Sequence, residues 1–150
     1  FGEAYGKSQL GANNRIPTSG TAFISVRDMD KDGIVSVGQD LAELGFKLVA
    51  TRGTAAVLEK AGLTVHIVNK VQEGRPHIVD MIKNDEIDLI INTVEGRQAT
   101  RDSSSIRRSA ENHRVYYNTT LAAGFAVCMA LKEVKDIEVR RLQDLHNRIS

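Results

Sequence analysis

The sequence has no tryptophan, one cysteine and two prolines, and aromatic residues make up only 5% of it. A surface that stacks nucleic-acid bases needs several aromatic rings, and three tyrosines and four phenylalanines offer little material for one. An excess of one charge is also missing, because 20 Lys and Arg residues are balanced by 19 Asp and Glu residues. No block of like charge forms a basic patch or a disordered tail. These features argue against a nucleic-acid-binding protein.

Membrane spans, disulfides and metal clusters lack their usual sequence signals. No apolar run approaches the roughly 20 residues that cross a bilayer, and the first residues have no secretion-signal pattern. The single cysteine, Cys128, lies in an apolar helical segment, which is typical of a buried thiol in a reducing compartment. The four histidines show no metal-ligand spacing with Cys128 or with one another. We therefore expect a cytoplasmic domain with no membrane contact and no metal.

The length of 150 residues, with 41% hydrophobic and 26% charged residues, suffices for one domain with a sizeable core. Residues 13–20 (NNRIPTSG) have the composition of a linker, and the chain has no initiator methionine. We expect residues 1–20 to comprise the end of a preceding domain and a linker, and residues 21–150 to form the domain itself.

From residue 21 onward, apolar strands alternate with amphipathic helices. Five strands are expected, at residues 21–26, 47–50, 64–68, 87–92 and 115–117. Helices are expected at about residues 34–44, 55–62, 78–83, 102–112, 120–132 and 141–149. This alternation predicts a Rossmann-like α/β fold of three layers, in which a five-stranded parallel sheet carries helices on both faces.

The carboxyl ends of the strands are where ligands bind in such folds. The stretch LVATRGT, residues 48–54, ends an apolar strand in hydroxyl residues and a glycine just before a helix. This pattern can hold an anion, because N–H groups of the first helical turn are unpaired, the helix dipole is positive there, and Gly53 permits close approach. The four strand ends together supply Lys31, Thr51, Thr54, Lys70, Asn92 and Thr93. Each alone is an ordinary loop or cap residue, but together they suit a phosphate that carries a polar sugar or base.

Seven segments resemble the C-terminal allosteric domain of the bacterial carbamoyl phosphate synthetase large subunit, a member of the methylglyoxal synthase-like fold family. The resemblance covers nearly the whole chain, and the motif KVxEGRPH at residues 70–77 is its most specific part. The seven segments are FGEA (1–4), TRGTA (51–55), VNKV (68–71), EGRPHI (73–78), IINT (90–93), IRRSA (106–110) and YNTTL (117–121). Residues 1–14 resemble the end of the preceding, carbamoyl-phosphate-forming domain.

The resemblance implies a regulatory and non-catalytic domain that binds UMP as an inhibitor and, in some relatives, IMP as an activator. The matching pocket positions are Lys31, Thr51, Thr54, Lys70 and Asn92, which the strand-end rule also selects. Where relatives that respond to both nucleotides have a hydroxyl residue, this sequence has Val94.

A third effector, the activator ornithine, is implied at the junction with the preceding domain, where Thr119 matches the family's contribution. The parent enzyme would be a glutamine-hydrolysing ligase of pyrimidine and arginine biosynthesis, with a small glutamine amidotransferase subunit as a partner. Its ATP, Mg or Mn, and K would bind in other domains, so we expect no cofactor in this one.

Two other functions fit the same fold family. A free-standing lyase like methylglyoxal synthase needs a carboxylate base beside the phosphate, but Arg75 stands at that position here, and for Glu73 we expect a structural role. The cyclohydrolase domain of the bifunctional enzyme that makes IMP is the other candidate. The match of residues 69–77 to the synthetase argues against it, since fold kinship alone does not decide function.

Overall fold

The computed structural model of the protein describes residues 16–74 and 76–149, without the side chains of Gln72 and of residues 146–149. The expectations for residues 1–15 and for Arg75 lie outside the described residues.

Five parallel strands form one sheet, as the sequence predicts. The strands are β1 (Thr21–Ser25), β2 (Lys47–Ala50), β3 (Val65–Ile67), β4 (Leu89–Asn92) and β5 (Tyr116–Asn118). They pair in the order β3-β2-β1-β4-β5, and every pairing is parallel. The chain therefore builds one half of the sheet outward from β1, then returns to build the other half from β4. The switch point lies between β1 and β4, where Ser25 is opposite Asn92.

Six α-helices connect and follow the strands in the described part of the chain. They are α1 (Lys31–Glu43), α2 (Arg52–Lys60), α3 (Ile78–Lys83), α4 (Arg97–Asp102), α5 (Ser104–Asn112) and α6 (Leu121–Ile149). Short 3-10 helices at Asp28–Asp30 and Val71–Glu73 follow β1 and β3. None of the described helices is both long and apolar enough to cross a membrane.

Two helix predictions are wrong. The single helix expected at residues 102–112 is a pair of helices, α4 and α5, that begins at Arg97 and breaks at Ser103. Because α4 buries no residue, its sequence has no apolar period to reveal it. The separate helices expected at 120–132 and 141–149 are one continuous α6, since residues 133–140 contain no glycine or proline to end it.

The core lies in two layers, one on each face of the sheet. Along β1, the side chains of Ala22 and Ile24 point to one face and Phe23 to the other, as the twofold period of a strand requires. One layer contains buried residues of α1, α2 and α6, and the other contains buried residues of α3 and α5. The sequence prediction of a sheet with helices on both faces is confirmed.

Each of the four turns from a helix to the next strand contains one residue of positive φ, two positions after the end of the helix. These residues are Gly45, Gly62, Asp85 and Arg114. After α5, the N–H of Arg114 bonds to the carbonyl of Glu111, and the N–H of Val115 bonds to the carbonyl of Ala110. This is the Schellman pattern, and the bonds at the other three turns have the same form. Arg114 has a φ of 58°, a conformation that costs a residue with a Cβ about 1–2 kcal/mol.

We expect Arg114→Gly to stabilise the protein by about 0.5–1 kcal/mol, because relief of the strain exceeds the added entropy of the unfolded chain. Urea unfolding measures the change. The matched control is Arg108→Gly, which removes another exposed arginine from the middle of α5 and should destabilise the protein by about 1 kcal/mol. Equal effects of the two substitutions would contradict this account.

Candidate functional site

A cleft of about 300 Å³ opens at the carboxyl ends of the strands, over the switch point between β1 and β4. Its polar wall includes five of the six residues that the strand-end rule selects: Lys31, Thr51, Lys70, Asn92 and Thr93. The apolar part of the lining includes four side chains from one face of the sheet: Phe23, Val71, Ile78 and Ile106. The cleft thus pairs a cationic, hydroxyl-rich region with an apolar wall.

Two ammonium groups, of Lys31 and Lys70, line the cleft together with the guanidinium of Arg27, which is paired with Asp30. Lys31 begins α1, its side chain is 25% exposed, and its Nζ atom donates a hydrogen bond to the carboxylate of Asp28. This hydrogen bond, together with the Lys31 charge, lowers the pKa of Asp28, and the charge of Lys70 acts in the same direction. Asp28 is therefore an anion at neutral pH. A bound phosphate would compete with Asp28 for the same ammonium group.

The backbone of Gly53 explains how Lys31 comes so close to the start of α2. A Cβ atom added to Gly53 would lie 3.2 Å from Lys31 Nζ, so the glycine leaves room for the ammonium group. The N–H groups in the first turn of a helix have no acceptor within the helix, and the helix dipole is positive there. An anion between Lys31 and this turn would meet positive potential from both.

Two threonine hydroxyls hold the segment after β1 in place. The Val26 N–H donates to Thr54 Oγ1 at 3.1 Å, and the next N–H, that of Arg27, donates to Thr93 Oγ1 at 3.0 Å. Thr54 and Thr93 are 1% and 4% exposed. Thr54, which the sequence places on the ligand, thus supports the wall of the cleft instead of lining it. Its neighbour Thr51 does line the cleft, and its hydroxyl donates to Ser25 Oγ at 3.1 Å.

The side chain of Asn92 sits where β4 ends and is 4% exposed. Its Nδ2 atom donates to Ser103 Oγ at 3.2 Å and to Tyr117 Oη at 3.0 Å. Ser103 marks the break between α4 and α5, so this amide ties the helix break to the sheet.

A second cavity of about 380 Å³ lies on the far side of Asn92, between α5 and β5. Thr119, the residue implied for ornithine, lines this second cavity together with Tyr117 and two arginines, Arg107 and Arg108. The Arg107 guanidinium lies 5.5 Å from the centre of the Tyr117 ring. The two cavities share Asn92, Val94 and Ser103. The structure thus separates Thr119 from the lysine-rich cleft but leaves the two regions adjacent.

Glu73, the carboxylate weighed as a catalytic base, is engaged in local structure. Its Oε1 atom accepts from the backbone N–H of Lys70 at 2.6 Å, and its Oε2 atom lies 3.8 Å from Arg52 Nε. Arg52 also donates to Asn69 Oδ1 at 3.0 Å. Glu73 therefore anchors the loop that carries Lys70 to the start of α2.

Several cleft residues were not selected from the sequence. Ser25 is the last residue of β1, and Arg27 and Asp28 lie just after it, so the strand-end rule could have found all three. Asp102 and Ser103 reach the cleft from the α4–α5 break, and no strand end or motif signals them. Among the described residues, no group of three or more His, Cys, Asp or Glu side chains could hold a metal ion.

The comparisons with known proteins agree on one family. A family model described as MGS-like domain matches residues 33–119. The carbamoyl phosphate synthase large chain of Pseudomonas putida is 63% identical over 146 residues, which are 97% of this chain and 14% of that protein. The large chain of Halomonas eurihalina is 56% identical over 153 residues, which cover 100% of this chain and 14% of that protein. The chain thus spans 14% of the length of these relatives, at their C-terminal end.

Solved structures show the same fold at lower identity. The crystal structure of methylglyoxal synthase from Elizabethkingia anophelis matches with a TM-score of 0.60 and 22% identity, over 74% of this chain and 78% of that one. The crystal structure of ForH matches with a TM-score of 0.52 and 18% identity, over 78% of this chain and 81% of that one. At such identities the likeness concerns the fold alone.

We expect Thr54→Val to lower the free energy of unfolding by about 1–3 kcal/mol, because it leaves the buried Val26 N–H without its acceptor. Thr54→Ser keeps the hydroxyl and loses one methyl group, so it should cost about 0.8 kcal/mol. Urea unfolding of both variants measures the difference. If the Thr54→Val and Thr54→Ser proteins had equal free energies of unfolding, the hydrogen bond to Val26 would not be what holds the loop.

We expect Asp28→Asn to tighten binding of inorganic phosphate by about twofold to fivefold at low salt, because Lys31 loses its competing carboxylate. The gain should shrink as salt is raised, since Asp28 is exposed. Calorimetric titration with phosphate measures it. The control is Asp32→Asn, which removes an exposed carboxylate of α1 and should change little, and an equal gain there would point to net charge alone.

Proposed function

The chain belongs to the family of MGS-like domains, and from this premise we propose that it is the allosteric nucleotide-binding domain of a carbamoyl phosphate synthase large chain. The domain itself is regulatory and performs no catalysis. It binds UMP as an inhibitor and IMP as an activator in the cleft at the carboxyl ends of β1, β2, β3 and β4. One observation carries this proposal: five polar residues from the carboxyl ends of four strands meet in a single cleft of about 300 Å³.

The phosphate of the nucleotide fits the cationic end of the cleft. Lys31 and Lys70 offer ammonium groups, which bind phosphate as point charges, and Thr51 offers a hydroxyl. The start of α2 adds the positive end of a helix dipole. A dianionic phosphate there would outcompete Asp28, which brings one negative charge from an exposed position.

The nucleoside fits the remainder of the cleft. Asn92 can meet a ribose hydroxyl with its amide, and Val71, Ile78 and Ile106 form an apolar wall for a planar base. Val94 lines the cleft where relatives that respond to both nucleotides have a hydroxyl residue. It offers no hydrogen bond, so discrimination between UMP and IMP depends on the shape of this wall.

Regulation by such a site requires that the nucleotide bind one state of the large chain more tightly than another. The proposed partners are therefore the preceding domains of that chain and the small glutamine amidotransferase subunit. Ornithine binds at the junction, with Thr119 on this side and acidic ligands on the preceding domain. ATP, Mg or Mn, and K belong to the parent enzyme, a cytoplasmic ligase, and no cofactor binds in this domain.

The test is calorimetric titration of the protein with UMP and IMP. Lys70→Ala should weaken UMP binding tenfold to hundredfold, about 1.5–3 kcal/mol, because it removes one charge-assisted contact to phosphate. The matched control is Lys47→Ala, an exposed lysine at the amino end of β2, which should leave the affinity unchanged.

Turnover of dihydroxyacetone phosphate, assayed on the same preparation, distinguishes the lyase alternative. Saturable UMP binding without phosphate release supports the regulatory function. Phosphate release without nucleotide binding would overturn it and favour the lyase. Equal losses of UMP affinity in Lys70→Ala and Lys47→Ala would show that Lys70 does not bind the nucleotide.

A further inference from the structure

The second half of α6 extends beyond the core formed by the described residues. Val127, Cys128 and Leu131 are buried against the domain, and beyond them the contacts with α1 are few. Lys132 Nζ lies 2.9 Å from Asp40 Oδ1, and Lys135 Nζ donates to the carbonyl of Glu43 at 3.5 Å. Every side chain from residue 132 to residue 145 is exposed. Within residues 16–74 and 76–149, this part of α6 therefore continues a packed helix but has no element packed over its own side chains.

The part of α6 beyond the core carries an apolar stripe. Val134, Ile137, Leu142 and Leu145 are 42%, 40%, 67% and 56% exposed. At 100° per residue, these four positions fall within an arc of about 140° on one side of the helix. An unpacked helical segment of the length of residues 132–145 is only marginally stable in water. Burial of the apolar stripe against a partner would stabilise it.

The charges along the same segment are arranged in two blocks. Residues 133–138 hold three carboxylates and one lysine, and residues 140–144 hold two arginines and one carboxylate. Two parallel copies would place like blocks side by side, whereas two antiparallel copies would place the acidic block of each against the basic block of the other. This complementarity selects a second copy of the same helix in the antiparallel direction.

The order of residues within the stripe fits a single antiparallel register. When Val134 of one copy lies opposite Leu145 of the other, Ile137 lies opposite Leu142 in the same alignment. Between them, Glu138 lies opposite Arg141, and the twofold symmetry repeats each pair. We propose that two copies of this chain associate through residues 134–145 of α6, antiparallel, with two Glu138–Arg141 ion pairs enclosed by apolar contacts.

The test is sedimentation equilibrium of the 150-residue protein from about 5 µM to about 500 µM, a range suited to a small interface. We expect a reversible dimer. Glu138→Arg and Arg141→Glu should each weaken it at least about tenfold, since each places like charges opposite one another. An equimolar mixture of the two variants restores complementary pairs and should form a heterodimer. Asp136→Arg and Arg140→Glu make the same charge changes away from the stripe and should weaken the dimer much less.

The direction of pairing is tested by disulfide formation. A mixture of Val134→Cys and Leu145→Cys proteins should cross-link under mild oxidation. Val134→Cys alone should not, because the two copies of residue 134 would lie about 16 Å apart along the helix axis, beyond disulfide reach. A monomer at the highest concentration, or cross-linking of Val134→Cys with itself, would overturn the proposal. So would equal effects of the stripe variants and their controls.

Discussion

The parallel pairing of β1 with β4 is the constraint on which the cleft depends. Because the chain reverses its order of strand addition there, the loops after β1 and β4 diverge to opposite faces of the sheet and leave a gap above Ser25 and Asn92. Buried side chains on both faces fix the strands that border this gap. Hydroxyls of Thr54 and Thr93 then hold the first loop in position by bonding to two successive N–H groups. The polar wall is thus a product of sheet topology.

Electrostatics at the cleft follow from the same arrangement. Lys31 and Lys70 come from different loops, and both lower the pKa of Asp28, which lines the cleft together with two other carboxylates, Glu95 and Asp102. Asp28 keeps the Lys31 side chain in a defined position, so a ligand need not order it. This saving in side-chain entropy on ligand binding is offset by competition between Asp28 and any incoming anion for Lys31. Both effects are screened, since Asp28 is exposed to solvent.

The sheet and the strand ends could be predicted from the sequence because their signals are local. Short apolar runs bounded by polar residues, and the glycine at the end of α1, are visible in a short window of residues. The α4–α5 break gave no such signal, because α4 buries nothing and reaches the cleft only through tertiary packing. The same limit applies to the structural role of Thr54, since the strand-end rule selects this residue but does not show that its hydroxyl accepts a bond from a residue 28 positions away. Nor does the residue pattern show that Thr119 belongs to a second cavity.

The hydrogen bonds of the Asn92 amide determine which of its atoms remains available to a ligand. Both of its Nδ2 hydrogens are donated inside the protein, to Ser103 and to Tyr117. In this orientation of the amide, the polar atom of the side chain that is left for an occupant is the carbonyl oxygen, which only accepts. A hydroxyl or an N–H on the occupant satisfies it, while an ether or carbonyl oxygen placed there meets a lone pair. Asn92 is held by Ser103 at the helix break and by Tyr117 in the last strand. A ligand group that meets its carbonyl oxygen would therefore have to be a hydrogen-bond donor.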